Sequence, residues 1–105
     1  MMEYCVIFCT VPNREVGLDI ANTLVSQKLA ACVNIVPELT SIYTWKGEIC
    51  NDQELLLIIK TKSNLYTTIE ETIKKIHPYE VAEIISLPIT CGSHDYLQWI
   101  EDVTQ

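Results

Sequence analysis

The sequence has no Cys-x-x-Cys pair, no glycine-rich loop and no apolar run approaching the roughly 20 residues that span a bilayer. Each absence removes a class of function. The three glycines, Gly17, Gly47 and Gly92, stand alone, so neither a phosphate-cradling loop nor a nucleophile elbow can be built from them. Basic residues are scarce and scattered, 7 Lys and Arg against 14 Asp and Glu for a net charge of -7, which disfavours a nucleic-acid partner. The five cysteines, Cys5, Cys9, Cys32, Cys50 and Cys91, are odd in number and spaced for neither a disulfide framework nor a zinc ribbon. Reduced thiols are therefore expected, most of them as small core residues. The first residues lack the basic start and apolar core of a secretory signal, so a cytoplasmic protein without a membrane partner is the expectation.

What is present is a 105-residue chain with 49% apolar content, read as one domain over residues 1–105. Residues 4–11 form a β-prone apolar run ended by Pro12, and Asn13 then caps a helix whose apolar stripe is Val16, Ile20, Leu24 and Val25. That helix should reach about Lys28. Apolar segments at 30–36 and 39–45, joined through Pro37, precede Lys46-Gly47 and a further run at 55–61, which together predict a hairpin with unusually long arms. Pro37 places its strand at a sheet edge or in a bend, because proline cannot donate to the ladder. Ser63 or Asn64 can cap a second helix striped by Leu65, Ile69, Ile73 and Ile76, a last strand covers 83–89, and Ser93 starts a short terminal helix carrying Leu97, Ile100 and Val103.

The order strand, helix, strand, strand, helix, strand predicts an α+β, ferredoxin-like split βαβ sandwich with both helices on one face of an antiparallel sheet. Yet residues 4–8 and 55–59 are apolar at both parities, the pattern of strands covered on two sides. The terminal helix is too short to cover the second face alone, so the expected cover is another copy of the chain in a closed homo-oligomer.

The richest local pattern is His77-Pro78-Tyr79-Glu80, where the second helix meets the last strand. Pro78 pushes His77 out of helical angles, which makes it the end of its helix and holds an imidazole at a bend. In this topology the end of the first strand abuts the start of the last, so Cys9 and Thr10 should meet the segment from His77 to Glu83. A thiol, an imidazole and the carboxylates of Glu80 and Glu83 suit a borderline or soft transition metal. Equally, His77 could serve its helix's last carbonyls, Tyr79 could be a packing ring with a bonded hydroxyl, and Glu83 could be a solvated strand end.

Several segments in one order, Leu29-Ala30-Ala31-Cys32-Val33-Asn34-Ile35, Ser41-Ile42-Tyr43-Thr44-Trp45-Lys46-Gly47, Lys60-Thr61, His77-Pro78-Tyr79 with Glu83-Ile84, and Tyr96-Leu97-Gln98-Trp99, closely resemble the divalent-cation tolerance (CutA) proteins. The resemblance implies a tight homotrimer built by the long hairpin, similar in shape to the PII signalling proteins, with clefts between subunits. It also implies binding of Cu(II) or other divalent cations in metal tolerance. Carried over position by position, the family's copper pattern falls on Cys9 and His77, while the additional histidine that some members carry is here Ile76; Glu83, Tyr79 or a neighbouring subunit would then complete the site. Cys32, Tyr43, Trp45, Lys60 and Tyr79 are the positions that the resemblance assigns to the cleft.

Catalysis is not expected, since a cysteine near a histidine makes a nucleophile only with an orienting group and an oxyanion hole, and neither has a signature here. The competing class is a PII-like sensing trimer with a small molecule in the cleft between subunits.

Overall fold

Residues 3–105 are described by a computed structural model, and its elements begin and end where backbone chemistry changes. Strand β1 (Tyr4–Val11) buries Cys5, Ile7 and Cys9 on one side, and Pro12 follows its last residue. Helix α1 (Arg14–Ser26) starts at Asn13, whose Oδ1 accepts the Val16 N–H at 2.9 Å, with Glu15 in the first turn. It stops short of the expected Lys28 because Lys28 itself takes the left-handed conformation, φ 59°, that closes the helix.

The hairpin consists of β2 (Cys32–Trp45) and β3 (Glu48–Lys62), joined by Lys46-Gly47 with φ of 51° and 81°, a two-residue turn whose positive angles match the strand twist. Pro37 lies, as the sequence reading has it, in a strand at the sheet edge, where a bulge between Val36, paired with Leu56, and Leu39, paired with Glu54, absorbs the missing donor. One boundary is a correction. Strand β3 begins well before the apolar run at 55–61, since its polar first half is held by pairing with β2 rather than by burial.

Helix α2 (Tyr66–Ile76) is entered through a 3-10 turn at Ser63–Leu65, and neither Ser63 nor Asn64 caps it with a side chain; instead the Ser63 N–H donates to the Glu3 carbonyl at 2.8 Å. Strand β4 is shorter than expected, Ile84–Pro88, and α3 (His94–Val103) is capped by Ser93 as the sequence predicts.

The sheet order β2-β3-β1-β4 is wholly antiparallel, the ferredoxin-like arrangement expected. Helices α1 and α2 cover one face, and Ile7, Ile20, Leu24, Leu57, Ile59 and Ile69 are sealed between them and the sheet. On the other face α3 covers one end only, where Glu101 accepts from the Tyr4 hydroxyl at 3.1 Å and from Lys62 Nζ at 3.4 Å. Phe8, Leu56 and Ile58 are half-buried there, and Ile85 (50% exposed), Leu87 (41%) and Val36 (39%) face outward. The ladder between β1 and β3 ends at Val11 with Leu55, so both hairpin arms project past the sheet.

Truncation at the centre of the sealed layer, Leu57→Ala, is expected to cost about 2–5 kcal/mol, and loss of the cap in Asn13→Ala about 1 kcal/mol. Urea denaturation at fixed protomer concentration measures both; a cap loss as large as the core loss would contradict this packing.

Candidate functional site

Helix α2 ends at His77 for the reason the sequence supplies: with Pro78 next, His77 adopts extended angles (φ -68°, ψ 133°) while its N–H still bonds the Ile73 carbonyl at 2.8 Å. This aims the buried imidazole at β1. Nε2 lies 2.7 Å from the Thr10 carbonyl oxygen, which can only accept, so Nε2 carries a proton. Nδ1 receives the Tyr79 N–H at 3.2 Å, so it does not, and the ring is the neutral Nε2–H tautomer with both nitrogens engaged. The Cys9 thiol also points to the Thr10 carbonyl, at 3.8 Å. Cys9 and His77 therefore meet the same acceptor, as the topology predicts.

Tyr79 packs its ring against His77, centroids 4.6 Å apart, and its hydroxyl donates to Glu54 Oε2 at 2.7 Å. Glu54 is only 6% exposed although it is a carboxylate. It belongs to β3 just beyond the last pair with β1, opposite Leu39 at the bulge. By strand alternation Tyr43 and Trp45 lie on the same hairpin face as Glu54, and the Tyr43 hydroxyl donates to Asp52 Oδ2. A cavity of about 820 Å³ opens between the hairpin base and the turn that follows His77, lined among others by Thr10, Tyr43, Trp45, Glu54, Tyr79 and Glu83.

The electrostatics of this cavity have one sign. Burial pushes the Cys9 thiol up to about 12, with the charges of Glu83 and Glu54 adding to it. The Tyr43 phenol rises to about 12 through its bond to Asp52, then burial, and Tyr79 is raised by burial and by Glu54. These groups remain protonated at neutral pH.

Of the residues singled out in the sequence, Tyr43, Trp45, Tyr79 and Glu83 share the cavity wall. Cys32 and Lys60 do not: they pair with each other across β2 and β3, and both reach the Asn34 amide oxygen. Cys9, His77 and Glu83 do not form a preformed metal centre. Among the described residues no three His, Cys, Asp or Glu side chains converge, both His77 nitrogens are occupied, and the Cys9 thiol is fully buried and protonated. Sequence reasoning missed Glu54, which reads as a polar residue ahead of an apolar run; only the hairpin register, counted back from Lys46-Gly47, shows that it lies just beyond the end of β1.

Similarity to known proteins agrees with this geometry. Residues 5–103 match the family model described as CutA1 divalent ion tolerance protein. The chain is 52% identical over 99 residues to the divalent-cation tolerance protein CutA of Thermus thermophilus, covering 94% of this chain and 96% of that protein. It is 49% identical over 98 residues to human Protein CutA, covering 93% of this chain but only 55% of the human protein. The chain thus spans about half the length of that relative. Among solved structures, the divalent cation tolerance protein of Thermus thermophilus superposes with a TM-score of 0.95 at 50% identity, covering 97% of this chain and 99% of that one. The CutA1 structure from Oryza sativa gives 0.95 at 45% identity, covering 99% and 95%.

Two outcomes test the site. Tyr4, Tyr43, Tyr66, Tyr79 and Tyr96 all hold their protons above the ordinary phenol value of 10.0. The unfolded chain then loses protons first, so stability is full below about pH 10 and falls as pH rises through the native values. Native phenolate absorbance should accordingly emerge later than in denatured protein; coincident curves would refute these environments. Tyr79→Phe strips Glu54 of its donor and should destabilise the fold by about 1–3 kcal/mol at neutral pH, read by urea denaturation.

Proposed function

The chain belongs to the CutA1 divalent ion tolerance family, and from that premise we propose that it is a homotrimeric, cytoplasmic divalent-cation-binding protein, not an enzyme, with copper as its cation. The observation that carries this reading is the acidic cavity at the turn between His77 and Glu83, whose lining includes no basic side chain among the described residues. The metal residues we assign are Cys9, His77 and Glu83. In the conformation described they do not yet fit an ion. His77 offers a lone pair only if Nδ1 releases the Tyr79 amide, held by a contact of 3.2 Å, and Cys9 must lose a proton that burial retains. Glu83 is exposed and available as it stands. With Ile76 preceding His77, the missing nitrogen is drawn from a neighbouring subunit or replaced by carboxylate.

The trimer is supported by the outward apolar face. Val36, Ile85 and Leu87, together with Tyr96 and Trp99 of α3, are each 39% or more exposed, and projecting hairpin arms give a neighbouring copy a surface to engage. A second reading, a PII-like sensor with a small molecule in an intersubunit cleft, is favoured by the aromatic wall of Tyr43, Trp45 and Tyr79.

An anaerobic Cu(II) titration of the protein and of His77→Ala, followed by electron paramagnetic resonance with oligomer mass measured in the same samples, tests ligand and assembly together. The expected result is a trimer binding a fixed number of ions per subunit through nitrogen, with the nitrogen signal lost in the variant while its mass is kept. Identical binding by both proteins would move copper to incidental thiols, and a monomeric mass would remove the trimer.

A further inference from the structure

We infer that the cavity at the hairpin base is a binding site for a small organic cation, an ammonium group carried on an apolar body. Its wall combines two features that such a ligand needs together. Tyr43, Trp45 and Tyr79 supply aromatic faces, and Glu54 and Glu83 supply negative charge, while the lining contains no Lys, Arg or His among the described residues. A cation set against aromatic rings is attracted by their quadrupoles, an effect that strengthens when water is excluded.

Glu54 makes the stronger case. It is 6% exposed, and one oxygen, Oε2, is satisfied by the Tyr79 hydroxyl at 2.7 Å. Its other oxygen has no hydrogen-bond partner and no ion pair among the described residues, yet no sealed, unpartnered side-chain oxygen exists among them. Oε1 is therefore not sealed from solvent, and Glu54 lines the cavity. A carboxylate held in a pocket with one oxygen fixed and the other free presents a charge that a cationic ligand neutralises.

The shape of the site selects among cations. A bare metal ion needs several converging donors, which this wall does not present unless the turn rearranges, since no three such side chains meet among the described residues, whereas an organic cation needs none to converge. A volume of about 820 Å³ is in the range of pockets that enclose whole organic ligands. The inferred site uses neither Cys9 nor His77, shares Glu83 and the cavity with the copper reading, and gives the aromatic cleft of the second reading a ligand charge.

Isothermal titration of the full chain with benzyltrimethylammonium, alongside benzyl alcohol and benzoate, tests it. The expected result is saturable binding of the cation, weaker by about tenfold or more for the neutral alcohol and absent for benzoate. Glu54→Gln should weaken the cation by a similar factor and leave the alcohol unchanged. Should that variant not fold, the comparison of three probes on the unaltered protein still decides. Equal affinity for the cation and the alcohol would mean an apolar pocket without charge selection, and no saturable binding of the cation at millimolar concentration would mean no site; either result overturns the inference. Copper resonance is read separately, so failure here leaves the metal reading standing and failure there leaves this one.

Discussion

The arrangement turns on where β1 stops. Pro12 follows Val11, whose partner is Leu55, so the next residue of β3, Glu54, has β2 on one side and no strand on the other. A nearly buried carboxylate at such a position must find a donor, and the donor is Tyr79, delivered by a turn that exists because Pro78 ends α2. Two prolines far apart in the chain thus fix one hydrogen bond. That bond anchors to β3 the turn that carries Glu83.

His77 ties the same turn to the sheet through a second route. Its protonated nitrogen bonds the Thr10 carbonyl and its other nitrogen accepts from Tyr79, so the imidazole serves as a bracket between the helix end, β1 and the turn. A ring used on both sides holds geometry well and binds metal poorly unless one contact is released. The neighbouring Cys9 thiol, protonated by burial, has the same double character. An ion held by His77 at this end of the sheet would require movement of the turn that also walls the cavity, so the two proposed ligand classes would act on one segment.

Much of this was legible in the residues. Asn13, Pro12, Lys46-Gly47, Pro78 and Ser93 mark element boundaries by backbone chemistry that operates locally, and the structure follows each of them. Ser63 and Asn64 misled because a 3-10 turn can enter a helix without a side-chain cap. Pro37 pointed to a strand that is bent or lies at a sheet edge, and β2 is both, with the position of the bulge set by pairing to β3.

Residue pattern was enough to set the fold class, the helix end at His77 and the approach of His77 to Thr10 at the end of β1, since periodicity, proline and strand order act through near neighbours and topology. Long-range packing decided that Glu54 is buried, that Tyr43, Trp45, Tyr79 and Glu83 share one wall, and that Cys32 and Lys60 stand apart from it. Those outcomes depend on strand register and on how far each strand runs. A single residue of slip exchanges the faces, so they are not set by any short stretch of chain.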